Sequence, residues 1–302
     1  MVSTIEMCKN GPVFSRIVAG LWRMADWNYT SEQALAFINA SLELGITTFD
    51  HADIYGNYEC ERLFGDALSL APAMREQMQL VTKCDIKLVS NKHPGHHIAH
   101  YDTSKSHIIE SAETSLRRLQ TDRIDVLLLH RPDPLMDADE VAEAFTNLKD
   151  AGKVLHFGVS NFTPSQFALL QSRLSFPLVT NQVECSVLNF EVMHDGTLDQ
   201  SQQLGVAPMV WSALGGGRLF SSSEPQAARV RQCLTDLGNE LGGAQMDQVA
   251  FAWLLKHPAN LVPVLGTGKI ARVAAACEAE GLSLTRQQWF RVWRASKGHD
   301  VP

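Results

Sequence analysis

The sequence predicts a single α/β domain over residues 1–302, a (β/α)8 TIM barrel with an extra C-terminal helix. Three observations carry that expectation. Short apolar, β-branched runs alternate eight times with stretches of helical periodicity. No linker, low-complexity stretch or change of composition interrupts the alternation. Polar residues close nearly every strand, whereas a doubly wound sheet, the structural alternative, would gather them at one switch point. A Rossmann site is further disfavoured because no G-x-G-x-x-G follows the first strand.

The elements follow in order. Arg16–Trp22 reads as the first strand, ending in Gly20, Leu21 and an aromatic. Thr30 and Gln33 are spaced as a capping box and open a helix that stops at Gly45. The second strand, from Ile46, ends on Asp50, and a helix covers Glu59–Leu68 with Leu63, Phe64 and Ala67 on one face. Met78–Lys83 is the third strand, followed by a helix over Ser106–Leu119. Ile124–His130 is almost wholly apolar, as expected when both faces of a strand are covered. A helix over Asp139–Ala151 ends at Gly152, and Leu155–Asn161 is the fifth strand. Thr163-Pro164 opens a helix with Pro in its first turn. Val179–Val183 and Ala207–Ser212 are the sixth and seventh strands. Helices over about Gln226–Leu241 and Met246–His257 precede the eighth, Leu261–Leu265. A helix over Ile270–Ala279 comes next, and a last one over about Thr285–Ala295 reads as an appendage.

Bulk composition narrows the function. With 45% hydrophobic residues the chain can bury a large core. A net charge of −7 speaks against a nucleic-acid surface, which needs a basic face. Six cysteines without a C-x-x-C pair suit reduced thiols in a cytoplasmic protein. The start has no signal-peptide pattern, and no apolar run reaches the ~18 residues of a membrane span. No exposed apolar stripe demands a protein partner, so a monomer is compatible with the sequence and the oligomeric state stays open.

Barrel enzymes keep their chemistry at the C-terminal ends of the strands. Those ends read Trp22, Asp50, Lys83, His130, Ser160-Asn161, Gln182, Ser212 and Gly266-Thr267. Taken singly, each is more often structural: Asp50 a turn former, His130 a satisfied histidine, Lys83 a solvated end. Asp, Tyr, Lys and His on three consecutive strand ends are far more specific. Tyr55 could give a proton to a carbonyl oxygen, but a free phenol, with a pKa of ~10, is a poor acid at neutral pH. Bringing it near neutrality is worth about 4 kcal/mol, and one ammonium ~4 Å away supplies about that much at an effective dielectric of ~20. Lys83 is the available ammonium, Asp50 would hold it charged, and His130 could orient the carbonyl. An electron donor is missing, and a nicotinamide cofactor would fill that role.

These residues resemble the aldo-keto reductase family over essentially the whole chain. Asp50-His51-Ala52-Asp53-Ile54-Tyr55-Gly56 is similar to its Asp-x-Ala-x-x-Tyr-Gly signature. Val81-Thr82-Lys83, Leu128-Leu129-His130, Gly158–Phe162 and Asn181-Gln182-Val183 are similar to further family segments. The runs His130–Asp137 and Arg286–Phe290 resemble its bacterial YdhF-type branch in particular. The resemblance implies a barrel, NADPH, and reversible reduction of a small-molecule aldehyde or ketone. It makes Tyr55 the proton donor, tuned by Lys83 and Asp50, with His130 and Trp22 beside the substrate.

For the cofactor, the resemblance implies contacts from Gly20, Trp22, Arg23 and Asp50, with Ser160, Asn161 and Gln182 on the nicotinamide amide and Trp211 stacked on its ring. Ser212–Leu219, including Leu214, Gly216, Arg218 and Leu219, resembles the loop over the pyrophosphate; read on its own it is equally a flexible turn. Gly266, Thr267, Gly268, Lys269 and Arg272 resemble the segment that holds a 2′-phosphate and so favours NADP; the other reading is a solvated basic helix start. Ala275 and Ala276 stand where many members carry polar residues, the tail after Trp293 is short, and His51 stands where many have Thr or Ser.

Two other enzyme or binding readings compete. One is a lyase with Lys83 as Schiff-base nucleophile; the other is an NADPH-binding redox-sensing module with little turnover. His93, His96, His97 and His100 could bind Zn²⁺, but Pro94-Gly95 breaks any helix that would align them, so the expectation is no metal. Trp22, Met24, Trp27 and Tyr55 suggest an aromatic-lined pocket.

Overall fold

The computed structural model describes residues 1–302. Eight parallel strands close a barrel: β1 (Val18–Gly20), β2 (Thr48–Asp50), β3 (Gln79–Cys84), β4 (Ile124–Leu129), β5 (Val154–Ser160), β6 (Leu178–Glu184), β7 (Met209–Trp211) and β8 (Val262–Leu265). Each pairs with its sequence neighbour, and β8 returns to β1 through Val264↔Val18 and Leu265↔Ala19. The predicted architecture is therefore the observed one. Ten α-helices longer than a single turn surround it: α1 (Ser31–Glu43), α2 (Cys60–Leu68), α3 (Lys105–Leu119), α4 (Ala138–Asp150), α5 (Pro164–Gln171), α6 (Thr197–Leu204), α7 (Pro225–Glu240), α8 (Met246–Leu255), α9 (Ile270–Glu278) and α10 (Arg286–Lys297).

Period-two alternation explains how β4 can be apolar throughout. Val126 and Leu128 join Val18, Val81, Val179, Met209 and Val262 inside the barrel. Leu127 and Leu129 face the helices, among Ile108 and Phe145. Local signals read from sequence also hold: the capping box at Thr30/Gln33, the helix start at Thr163-Pro164, where the structure adds a second box with Gln166, and left-handed glycines at Gly45 and Gly152. At Gly20 no side chain fits, because a Cβ would lie 2.4 Å from the Leu265 carbonyl oxygen on β8.

Four features differ from the sequence expectation. β1 ends at Gly20, so Trp22 stands on the turn beyond the strand, 54% exposed. The N-terminal stretch forms a hairpin, Thr4–Glu6 against Val13–Ser15, which drives Met7 and Phe14 into the base of the barrel. Helix α6 was not anticipated: its sequence carries only Leu198 and Leu204 as apolar residues. Finally, α10 is no appendage. Trp289 stacks on Trp253 of α8 with ring centroids 4.7 Å apart. Each indole N–H donates to the other residue's carbonyl, at 3.0 and 3.1 Å, and Val292 and Trp293 enter the main core.

Candidate active site

Register brings the first pair together. Asp50 on β2 lies opposite Val81 of β3, and Lys83, two residues on, points to the same face one layer higher. The Lys83 ammonium is completely buried, 2.7 and 2.8 Å from the two Asp50 oxygens, and it donates to the His51 carbonyl at 2.7 Å. Tyr55 follows on the turn after β2 and sets its hydroxyl 3.1 Å from Lys83 Nζ. His130, just past β4, meets the Tyr55 ring edge-on at 5.8 Å. Hydrogen bonds extend the group across the barrel mouth. Gln182 Nε2 donates to Asp50 at 2.9 Å, Ser160 Oγ to the Gln182 carbonyl at 2.8 Å, and Asn161 Nδ2 to Ser160 Oγ at 2.8 Å. The Trp211 indole N–H then donates to Asn161 Oδ1 at 2.9 Å.

Electrostatics correct one expectation. Burial pushes the Tyr55 phenol above its ordinary value; Lys83 pulls it back, but Asp50 pushes with the burial. Alone, Lys83 would bring a full unit of positive charge to the phenol, but the carboxylate at 2.7 Å cancels much of it. In the protein alone, then, Tyr55 is a firmly protonated phenol. Burial by itself would lower Lys83, yet Asp50 and Tyr55 hold it above the ordinary lysine value, so it stays charged. Burial, with Lys83 and Arg131 adding to it, lowers His130 well below the usual range and keeps it neutral.

Behind this group lies a buried acidic pair. Asp53 accepts from Ser111 Oγ at 2.9 Å and Glu61 accepts from Thr82 Oγ1 at 2.6 Å, but Asp53 Oδ1 and Glu61 Oε2 accept no hydrogen bond, the Arg118 guanidinium standing 3.8 Å from Glu61 Oε2. Burial first, and Glu61 second, raise Asp53 to about 7. An unfolded aspartate titrates near ~4. Between those values the folded chain binds the extra proton, so stability falls as pH rises through the window and the loss is complete above it. Asp53→Asn should therefore stabilise the protein near pH ~8 by up to about 4 kcal/mol and change little near pH ~4. Denaturant midpoints at the two pH values check this; equal effects at both would remove Asp53 as the titrating group.

The mouth of the barrel opens as a cleft of about 1080 Å³. Of the residues expected from sequence, it is lined by Gly20, Trp22, Arg23, Asp50, Tyr55, His130, Ser160, Asn161, Gln182, Trp211, Ser212, Leu214, Gly216, Gly266, Thr267 and Arg272. Lys83 sits behind the lining. Arg218, Leu219, Gly268 and Lys269 also lie outside it. Leu219 is fully buried in the core, and Arg218 Nε turns back to the Gly215 carbonyl at 3.3 Å. Gly268 lies under the Trp27 ring, its carbonyl accepting from Tyr29, and Lys269 is exposed. Met24 is buried in the core and Trp27 packs on Phe37, so neither contributes to the aromatic lining expected of them. The cleft gains instead Arg131, Leu88, Phe220, Met246 and Asp247. Arg131 was within reach of sequence reasoning, since it follows His130 directly; its guanidinium lies over the Trp211 ring at 5.5 Å.

One end of the cleft suits an anion. Gly266 and Thr267 lead into α9 with open space where a Cβ would stand at Gly266, and Arg272 from the first turn of that helix faces the cleft. Gly215, Gly216 and Gly217 all take positive φ, so this turn requires glycine whatever it covers. The histidines of the loop after β3 form a ladder rather than a cage: His93 and His96 stack at 5.0 Å, and His100 meets His96 edge-on. No group of three His, Cys, Asp or Glu side chains is arranged to hold a metal ion. His51 is fully buried against Phe64, with neither ring nitrogen partnered, and burial lowers it to about 3.

Residues 16–296 match the model of the aldo/keto reductase family. The chain is 55% identical to the oxidoreductase YdhF of Escherichia coli (strain K12) over 302 residues, which is 100% of both chains. It is 45% identical to a 6-dehydroglucose reductase of Agrobacterium fabrum, covering 95% of this chain and 96% of that one. Among solved structures, the glycerol dehydrogenase AKR11B4 of Gluconobacter oxydans superposes with a TM-score of 0.84 at 24% identity, covering 98% of this chain and 95% of that one.

Proposed function

The chain belongs to the aldo/keto reductase family, and from that premise we propose that it is an NADPH-dependent carbonyl reductase in which Tyr55 delivers the proton. One observation carries the reading: the Tyr55 hydroxyl lies 3.1 Å from a buried, Asp50-paired ammonium, at the wall of a cleft that His130 also lines. When bound, the reduced nicotinamide supplies the hydride. The residues of the chain do the rest. Tyr55 donates its proton to the carbonyl oxygen as negative charge develops there, and Lys83 stabilises the phenolate left behind. Neutral His130 orients the same oxygen. Ser160, Asn161 and Gln182 hold the amide of the cofactor, and Trp211, pinned by Asn161, presents its ring to it. At the other end of the cleft Thr267 and Arg272 receive the 2′-phosphate, with Lys269 beside them.

The cleft and its donor set fit such a cofactor: its lining takes in both the Gly266-Thr267 helix start and the Ser160-Asn161 corner. The lyase reading loses ground, because a Schiff-base amine must be neutral and reachable, and Lys83 is charged and without exposure. Six unpaired cysteines and the lack of any helix long and apolar enough to cross a membrane support a cytoplasmic setting. Relatives named as 6-dehydroglucose reductases make dehydro-sugars natural members of a first substrate panel.

The test is oxidation of NADPH, followed optically, with aldehydes, ketones, dehydro-sugars and quinones, beside the same panel with NADH. Turnover that prefers NADPH is expected. Tight NADPH binding without turnover would shift the reading to a redox sensor. Arg272→Ala should weaken NADPH binding by roughly 10-fold or more and leave NADH nearly as it was, as loss of one charge-assisted phosphate contact implies. Equal losses for both cofactors would sink the 2′-phosphate assignment.

A further inference from the structure

Asp85 is the first residue past β3, and none of the roles above uses it. It is fully buried, and its φ of +93° puts a side-chain-bearing residue in backbone that favours glycine. Asn161 and Ser212, past β5 and β7, share positive φ, so such backbone gathers at the barrel mouth. Asp85 Oδ2 accepts the backbone N–H of Arg131 at 3.1 Å, while Oδ1 is buried with no partner. The backbone joins the same two strand ends: the His130 N–H donates to the Cys84 carbonyl at 3.0 Å. His130 has no hydrogen bond at its own buried Nδ1, so its ring is placed by its backbone and by packing against Tyr55.

We propose that Asp85 is a positioning residue for the reaction: its carboxyl clamps the peptide between His130 and Arg131, and so fixes the imidazole against Tyr55 and the guanidinium over Trp211. The proposal rests on the carbonyl-reductase reading. The strain at Asp85 then has a purpose, since glycine would suit the backbone but could not reach the peptide on the next strand. Burial raises the carboxyl well above the ordinary range, against the pull of the Arg131 N–H, and Asp53 and Asp133 add to the rise. A neutral acid still offers an accepting oxygen, so the clamp does not need the charge.

The experiment compares Asp85→Gly and Asp85→Asn with the wild-type enzyme for kcat, KM, NADPH affinity and melting temperature. Asp85→Gly relieves the backbone and removes the clamp. Its melting temperature and NADPH affinity should hold, while kcat falls roughly 10–100-fold, as expected for a misplaced catalytic group. Asp85→Asn keeps an accepting oxygen and should stay within about threefold of wild-type kcat. If Asp85→Gly fails to fold, Asp85→Ser, too short to reach the Arg131 N–H, takes its place with the same expected loss. Wild-type kcat in Asp85→Gly, or equal kcat losses in the Gly and Asn variants, would overturn the role of Asp85 alone. A wild-type enzyme that turns over no carbonyl would overturn the reductase reading, and this role with it.

Discussion

Tyr55→Phe should lower kcat for carbonyl reduction by roughly 10³-fold or more while leaving NADPH affinity nearly unchanged, because a positioned general acid is worth about 10²–10⁴. The substitution deletes one oxygen. Phe keeps the ring that meets His130 and faces the cleft, and the Lys83 ammonium keeps Asp50 and the His51 carbonyl as acceptors. Folding should therefore be little affected, and the loss belongs to proton delivery. Steady-state turnover and equilibrium NADPH titration of the same preparation check it. A variant that retains most of its turnover would remove Tyr55 as the acid and move attention to His130.

Lys83→Met should have the largest effect on stability. It removes the cation from beside Asp50 and leaves a carboxylate that is 3% exposed with only Gln182 as a side-chain donor. Breaking one partner of a buried pair costs about 3–5 kcal/mol. Turnover should fall as well, since nothing would then stabilise the phenolate. Pairing the change with Asp50→Asn removes the orphaned charge and should recover much of the stability but none of the activity. Urea midpoints for the single and double variants measure this; a double variant no more stable than Lys83→Met would show that the cost lies in lost packing rather than unpaired charge.

Whatever depends on neighbours along the chain was legible. The capping box at Thr30 involves residues three apart, Pro164 marks the first turn of its helix, and the apolar face-switching of Ile124–Leu129 carries its own period. The Asp50, Tyr55, Lys83 and His130 grouping was legible too, because barrel topology turns consecutive strand ends into spatial neighbours. What escaped depends on partners far away in sequence. Helix α6 is held by tertiary contacts of Thr197, Leu198 and Ser201, not by a visible apolar stripe. The two-indole lock makes α10 part of the core, and neither Trp253 nor Trp289 announces the other. The Tyr55 phenol rises rather than falls because the fold buries it and sets Asp50 against Lys83, and neither burial nor that distance is written in the chain. Asp85 shows nothing unusual as a letter; its φ and its orphaned oxygen are properties of the fold alone.

The hairpin Thr4–Glu6/Val13–Ser15 has a further consequence for traffic. Met7 and Phe14 close the base below a barrel interior already filled by Val18, Val81, Val126 and Leu128, so whatever reaches Tyr55 enters from the mouth. The far end of the molecule thus serves as a floor, and no residue of the hairpin lines the cleft.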